Sequence, residues 1–249
     1  ILSQSPWDGT TATYTYDLPA SGSNITWAQV FVNDYSGSGL NNLPVRITTE
    51  FDGDGDGTFE TVLGTEDCDI QSESNTNSPN KQPYAYPLND HVTKVFSDYE
   101  AWYDVTNLIT SAHPKIRVTS SNIGAPVGKD GGYDGRLKAV TLVAAYNDGD
   151  TDQVKYVVNH GNDWMTGSSS TALDAGSFAP GWTEASITEV AHSSADATHT
   201  LNGNSLTPLN LGSNDYWKYN SFNVTRELKP AELNTFAFTN GGPSFKISL

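Results

Sequence analysis

Alternation of apolar and polar residues along many short segments is the feature that most constrains the fold of this chain. Successive side chains of a β-strand point to opposite faces of a sheet, so this period of two predicts strands with one buried face. The strand-like segments are residues 13–16, 27–32, 45–51, 59–63, 116–119, 153–158, 185–190, 235–238 and 245–249. Residues 139–146 are more continuously apolar, which predicts a strand buried on both faces. We expect residues 153–158 to pair with it as a hairpin.

Turn-forming residues separate these segments. The 249 residues include 22 glycines and 12 prolines besides many Ser, Thr, Asn and Asp, which adopt unusual backbone angles or hydrogen-bond their own turns. Only residues 104–109 and 223–228 have a helical pattern, and each is too short for more than a single turn. Asp104 or Thr106 would cap the first turn, and Pro230 would end the second. The sequence therefore predicts an all-β protein of sandwich or jelly-roll architecture with only one-turn helices.

The two helical stretches also indicate an internal repeat. Strands that end at Tyr35 and Tyr146 precede them by 69 and 77 positions, and each stretch is followed by a further strand. This shared order predicts two related β-sandwich halves, residues 1–128 and 129–249. The halves would meet in the glycine-rich stretch of residues 124–132.

The charge balance excludes several classes of partner. The chain has 29 acidic and 13 basic residues, a formal net charge of −16, which repels nucleic acid and anionic lipid. The same charge attracts cations, and the alternative interpretation is that it only keeps the protein soluble. No apolar run approaches the ~20 residues that span a bilayer as a helix, so no membrane span is expected.

Two features, the N-terminal residues and two glycosylation sequons, favour an extracellular location for a chain that has no internal disulfide. Cys68 is the single cysteine, so the chain has no internal disulfide. Its acidic neighbours predict a raised thiol pKa, and we expect a small, semi-buried residue. An intermolecular disulfide is the alternative. Residues 1–7 have neither an initiator Met nor a basic region, and are expected to be a mature end left after signal-peptide cleavage. Asn24 and Asn223 lie in Asn-x-Thr triplets, which are glycosylation sequons.

The acidic loop, defined as residues 52–60 with the sequence Asp-Gly-Asp-Gly-Asp-Gly-Thr-Phe-Glu, has the clearest binding chemistry. Carboxylates at alternate positions, with glycines that let the chain curl, can surround a hard cation with oxygen ligands. Leu63 stands where the twelfth-position Glu of a helix–loop–helix site belongs, so the loop is more typical of calcium loops in β-hairpins. The predicted Ca2+ ligands are Asp52, Asp54, Asp56, Glu60 and the backbone carbonyl of Thr58. A plain acidic turn is the alternative.

Three other polar segments have weaker patterns. Residues 148–152 (Asp-Gly-Asp-Thr-Asp) repeat the alternation without the trailing glycine and acidic residue, and fit either a second cation site or a polar hairpin turn. Asp134 and Arg136 are expected to form a structural ion pair. Residues 71–80 contain no apolar residue, which predicts an exposed loop that either reaches a neighbouring molecule or is simply solvated.

Catalytic motifs are missing, so we expect no enzyme. The histidines lack metal-ligand spacing such as His-Glu-x-x-His, and the chain has no Gly-x-Ser-x-Gly elbow. Carbohydrate binding is the alternative function, because sandwich modules often combine a calcium ion with exposed aromatic platforms. The candidate platforms are Trp7, Trp102, Trp164, Trp182 and Trp217, although large aromatic residues more often fill the core.

Several segments resemble a family of uncharacterised domains in secreted proteins of methanogenic archaea. They are Tyr-Asp-Gly-Arg at 133–136, Leu-Val-Ala-Ala-Tyr at 142–146 and residues 156–163, with 27–28 and 103–106 in support, so the resemblance covers most of the chain. None of these motifs is catalytic. The resemblance implies an archaeal envelope protein, and the size and acidity also look like those of the subunit of a tubular, amyloid-like methanogen sheath.

Edge strands would join the copies of such a subunit, because their unpaired N–H and C=O groups can accept another strand. We expect residues 1–4 and 245–249 each to add a strand to a neighbour. The predicted function is a self-assembling extracellular envelope protein, of sheath or S-layer type, stabilised by calcium. Its partners would be copies of itself, and also other envelope proteins or surface glycans. The alternative is a calcium-stabilised carbohydrate-binding or adhesion module of a larger surface protein.

Overall fold

Antiparallel β-strands form nearly all of the regular structure, as the alternation predicts. A computed structural model describes residues 1–5, 10–19, 24–37, 43–68, 86–95, 98–125, 132–161, 163–165, 167–174, 180–192, 197–214, 217–240 and 245–247. Within these ranges the protein contains no α-helix. The strands of residues 1–151 are β1 Leu2–Gln4, β2 Thr11–Thr15, β3 Ile25–Gly37, β4 Val45–Asp52, β5 Thr61–Cys68, β6 Tyr86–Pro87, β7 Val92–Val95, β8 Asp98–Asp104, β9 Lys115–Asn122 and β10 Tyr133–Tyr146. Those of residues 152–249 are β11 Asp163–Met165, β12 Ser168–Asp174, β13 Ser186–His192, β14 Ala197–Leu201, β15 Asn204–Leu206, β16 Leu209–Asn214, β17 Trp217–Asn223, β18 Leu233–Asn240 and β19 Phe245–Ile247.

The chain divides into two compact units, Ile1–Thr151 and Asp152–Leu249, and each unit contains two sheets. In the first unit the strand orders are β1-β10-β3-β8-β7-β6 and β2-β9-β4-β5. In the second unit they are β11-β19-β13-β17-β16 and β12-β18-β14-β15. Each unit is therefore a sandwich-like pair of antiparallel sheets, which confirms the predicted fold class.

The two units have the same topology. If β1 to β5 are matched with β11 to β15, and β7 to β10 with β16 to β19, every neighbour relation of the second unit occurs in the first. Only β6 has no counterpart among the described strands. The predicted internal repeat therefore exists as a repeat of strand order.

A pair of equivalent turns supports this match. After β8, the Thr106 hydroxyl accepts a 2.9 Å hydrogen bond from the Ala28 amide, and the Val105 amide donates to the Ala28 carbonyl. After β17, the Thr225 hydroxyl and the amide of the preceding residue make the same two bonds to Ala185. These segments, predicted as one-turn helices, are hydrogen-bonded turns. In each segment the chain leaves its strand and immediately hydrogen-bonds the backbone of Ala28 or Ala185.

The predicted matching of the two halves is wrong in detail. The strand that ends at Tyr146 is β10, whose counterpart is β19, whereas β3 corresponds to β13. The division also falls after Thr151 and not after residue 128. The reason is that β10 pairs with β3 and with β1 inside the first sheet, so it completes the first sandwich.

Two further strand expectations are wrong. Residues 153–158 form no strand; they are mostly exposed, and Val154 is 83% exposed. Phe245–Ile247 forms β19, which lies between β11 and β13 and therefore has no open edge for a neighbouring copy. Leu2–Gln4 pairs with β10 and is an edge strand of its sheet, so its addition to a neighbouring copy stays a prediction.

The cores lie between the two sheets of each unit. The first is built on residues such as Val30, Ile47, Phe51 and Leu142. Every residue of β10 from 137 to 143 is buried, which confirms a strand with both faces covered as far as residue 143, whereas residues 144–146 are half-buried or exposed. The second core is smaller and contains the following buried residues: Ala191, Leu201, Phe222, Val224, Phe236 and Phe238. In the part of the chain that the structure describes, no helix has the length and apolarity needed to cross a membrane.

Candidate metal site

The acidic loop connects β4 to β5 and is fixed to the first sandwich by its glycines. Side chains cannot be accommodated at Gly53 or Gly55, because a Cβ would overlap the backbone carbonyl oxygens of Leu108 and His113. Gly55 also has a φ of +79°, a conformation that L side chains rarely adopt. The Gly53 carbonyl accepts hydrogen bonds of 3.0 and 3.1 Å from the backbone amides of residues 110 and 111, in the segment between Leu108 and His113. The loop therefore lies firmly against the segment that follows β8.

Backbone amides of the loop orient its three aspartates. Asp52 is fully buried, and its two carboxylate oxygens accept hydrogen bonds of 2.6 and 2.8 Å from the amides of Gly55 and Gly57. Asp54 accepts a 3.0 Å bond from the Asp56 amide, and Asp56 accepts a 2.6 Å bond from the next-but-one amide, that of residue 58. That last hydrogen bond lowers the pKa of Asp56, so this carboxylate stays ionised well into the acidic range.

Four predicted ligands come together. Asp52, Asp54, Asp56 and Glu60 can each place one carboxylate oxygen within 4.8 Å of those of the others, and all except Asp52 are exposed. Several convergent carboxylate oxygens are the kind of ligand set that calcium prefers. Thr58 donates its amide to Asp56, and the part of its carbonyl as a fifth ligand stays a prediction. The structure thus brings the predicted acidic groups into one cluster that could hold a metal ion.

Lys115 is the member of this site that the sequence did not reveal. It opens β9 opposite Asp52, its ammonium donates a 2.6 Å hydrogen bond to the Gly55 carbonyl, and it lies 3.7 Å from Asp52 Oδ2. Its positive charge offsets part of the repulsion among the carboxylates. Because this strand pairing joins positions 63 residues apart, no local pattern signals it.

The second acidic segment, residues 148–152, is more exposed than the acidic loop. Asp148, Asp150 and Asp152 can also bring one oxygen each within 4.8 Å, but all three are exposed. One 3.3 Å bond from the Asp150 amide to Asp148 orders the turn. Both interpretations of residues 148–152 stay open.

A buried polar cluster in the first unit has no counterpart in the sequence-based predictions. Lys138 and Asp98 form a 2.9 Å ion pair whose side chains are 4% and 5% exposed. Asp34, on the neighbouring strand, is 1% exposed, and burial raises its pKa to about 7. The predicted Asp134–Arg136 pair forms at 2.8 Å and is partly buried. Alternating patterns gave no warning of Lys138, Asp98 and Asp34, because these residues occupy buried positions where a strand normally places apolar residues.

Cys68 is buried, as expected of a small structural residue. Burial raises its pKa, and the nearby carboxylates of Asp34, Glu66 and Asp67 raise it further. A thiol in this state is a poor nucleophile. The sequon residues Asn24 and Asn223 are both exposed.

The tryptophans that were candidate sugar platforms differ in exposure. Trp217 is 8% exposed and packs beside Tyr219. Trp182 is half-buried, and its indole N–H donates a 3.2 Å bond to the Thr225 carbonyl. Trp102 is half-buried, while Trp7, the side chain of Trp164 and residues 71–80 lie outside the described part of the chain. Carbohydrate binding therefore stays a prediction.

Comparisons with known proteins identify a family without a known function. The sequence model of the family described as "Protein of unknown function (DUF3344)" matches residues 2–249, so the chain belongs to this family. No curated protein and no solved structure matches. The expectation of an uncharacterised family is thereby confirmed, and the archaeal envelope and sheath remain expectations.

Proposed function

For this member of the DUF3344 family, we propose a structural role: an extracellular envelope subunit of sheath or S-layer type that associates with copies of itself and binds calcium in the acidic loop. The observation that carries the proposal is the convergence of four carboxylates in a loop fixed to the first sandwich. Such a site supplies rigidity and local charge neutralisation, which a subunit of a coat requires.

Calcium and association are linked through charge. Copies with a net charge of −16 repel one another at low ionic strength. A divalent cation in the acidic loop would remove two of those charges and tie Asp54, Asp56 and Glu60 to the buried Asp52. We expect calcium to stabilise the first unit and to lower the barrier to contact between copies.

Open sheets support the association half of the proposal. All four described sheets end in edge strands, so none closes on itself as a barrel would. An edge strand of one copy can pair with an edge strand of another and extend the sheet, a mode that uses main-chain hydrogen bonds.

Sedimentation velocity of the purified chain tests this role. The sedimentation coefficient is measured over a range of protein concentrations, in millimolar calcium and again with excess chelator. We expect species larger than the monomer in calcium and a smaller proportion of them in chelator. A monomer under both conditions at every concentration would rule out autonomous association.

A further inference from the structure

The repeated topology reveals one edge that is covered in the first unit and open in the second. In the first unit β7 pairs with β8 on one side and with the short strand β6 on the other. Its counterpart β16 pairs with β17 on the corresponding side. On its other side, β16 has no neighbour among the described strands. The first unit therefore demonstrates that this fold accepts one more antiparallel strand at that position.

Apart from a bulge at Leu211, β16 lacks the features that usually protect an edge. Its sequence, Leu-Asn-Leu-Gly-Ser-Asn, has no charged residue and no proline, and it is six residues long. Leu209 is 65% exposed and Leu211 is 46% exposed. Natural edge strands are normally short, charged, bulged or covered.

Most other edges carry one of these protections. β1, β6, β11 and β15 have three residues or fewer. β5 carries Glu66 and Asp67, and the β12 carbonyl of Ala172 accepts a 3.1 Å bond from Asn159. β2 is longer and uncharged, but its exposed residues are threonines. Exposed leucines on an uncharged edge thus distinguish β16.

We propose that β16 pairs antiparallel with β16 of a second copy, joining two five-stranded sheets into one. This inference rests on the proposed function, because it names one contact through which copies associate. Antiparallel pairing of a strand with itself satisfies a two-fold axis, the commonest symmetry of homo-oligomers. The pairing brings two acidic chains together along a strand that carries no charged residue, which limits their repulsion at the contact.

The register shift between Asn210 and Gly212 shapes the contact. It marks a bulge at Leu211, which bends and twists β16 locally. We therefore expect only part of the strand to pair, with the exposed side chains of Leu209 and Leu211 burying apolar surface beside the new hydrogen bonds.

Charge placed on the edge tests the proposal. The double variant L209K/L211K adds two positive charges to β16, and the matched control T11K/T13K adds the same two charges to exposed threonines of β2. We expect the association constant from sedimentation velocity to fall at least tenfold in L209K/L211K and to change little in T11K/T13K. Circular dichroism establishes that both variants keep their strand content.

The possible outcomes separate this inference from the proposed function. Association of L209K/L211K as strong as that of the wild type would overturn the β16 contact while the structural role stood. A wild type that stays monomeric would overturn both.

Crosslinking identifies the occupant of the edge. An N210C variant treated with a short bismaleimide should give a covalent dimer, and the parent chain, whose Cys68 is buried, should give none. If N210C alone remains uncrosslinked but joins to a V154C variant, then β16 binds the exposed segment 153–158 of another copy, and the two-fold pairing is wrong.

Discussion

Lys115 Nζ lies 3.7 Å from Oδ2 of the fully buried Asp52, and the two residues are direct partners in the pairing of β4 with β9. The acidic loop thus has a positively charged side chain beside it. Lys115 stabilises the loop without a metal, and it also repels a metal that binds beside it. In the proposed calcium site, this ammonium and the divalent ion would compete for the same carboxylates, and that competition would set the strength of calcium binding.

Replacement of Lys115 by Met should strengthen calcium binding. Unit charges about 5 Å apart in water interact by roughly 0.8 kcal/mol, and twice that for a divalent ion, before salt screening. We expect the calcium dissociation constant from isothermal titration calorimetry to fall by about three- to tenfold. Lys115→Arg, which keeps the charge, should bind calcium like the wild type. Equal affinities for Lys115→Met and Lys115→Arg would show that the ammonium does not compete with the ion.

The double variant D54N/D56N should lose calcium binding while it keeps the fold. Asparagine retains the oxygen that accepts each loop amide hydrogen bond but removes the charge that attracts the ion. At a hundredfold excess over its dissociation constant, calcium stabilises a protein by about 2.7 kcal/mol. For a unit of this size that energy raises Tm by about 5–10 °C.

Differential scanning calorimetry with and without calcium measures this shift. The matched control D148N/D150N removes two charges from the other acidic segment and should keep the full shift. A Tm that responds to calcium equally in D54N/D56N and the wild type would place the ion elsewhere.

Asp34 should make the first unit less stable as the pH rises. Burial, with a smaller effect of Asp134, raises its pKa from 3.8 to about 7 against the lowering effects of Ser120 and Lys138. The folded state therefore holds a proton between about pH 4 and pH 7 that the unfolded state has lost, so stability falls across this window and levels off above it. Asp34→Asn removes this dependence.

Urea denaturation at pH 5 and pH 8 measures the effect of Asp34. From pH 5 to pH 8, the free energy of unfolding of the wild type should fall by about 2 kcal/mol more than that of Asp34→Asn. A difference between the two proteins that is the same at pH 5 and pH 8 would mean that Asp34 titrates normally.

Thr106 and Thr225 should make equivalent contributions to different units. Thr106→Val or Thr225→Val removes the oxygen that accepts the amide of Ala28 or Ala185, at a cost of about 1 kcal/mol for a part-buried hydrogen bond. In calorimetry, Thr106→Val should lower the transition of the first unit, and Thr225→Val that of the second. The shift in Tm should be larger in the second, smaller unit.

The corresponding Ser variants keep the hydroxyl and serve as controls. If both Val variants lowered the same transition, the assignment of the two turns to separate units would be contradicted.

Local features of the fold could be predicted from the sequence, and distant pairings could not. The strand Val45–Asp52 and the acidic loop depend on neighbouring residues, so alternation and Asp/Gly spacing were sufficient to find them. The place of β10 depends on pairing with β3, whose partner residues lie 96 to 121 positions earlier, and no local pattern encodes that choice. For this reason the boundary predicted after residue 128 falls too early in the chain.

The same limit applies to residues 153–158 and to Lys115. The first has the alternation of a strand but no described partner strand, and propensity alone does not supply one. Lys115 joins the candidate metal site only through the register of β4 with β9. Residues brought together by a register are invisible until the sheet order is known.

Negative-stain electron microscopy of the purified chain, in millimolar calcium and again with excess chelator, tests the structural role most directly. The proposal predicts ordered tubes, hoops or sheets in calcium, and their loss or shortening in chelator. Dispersed single particles under both conditions would contradict it.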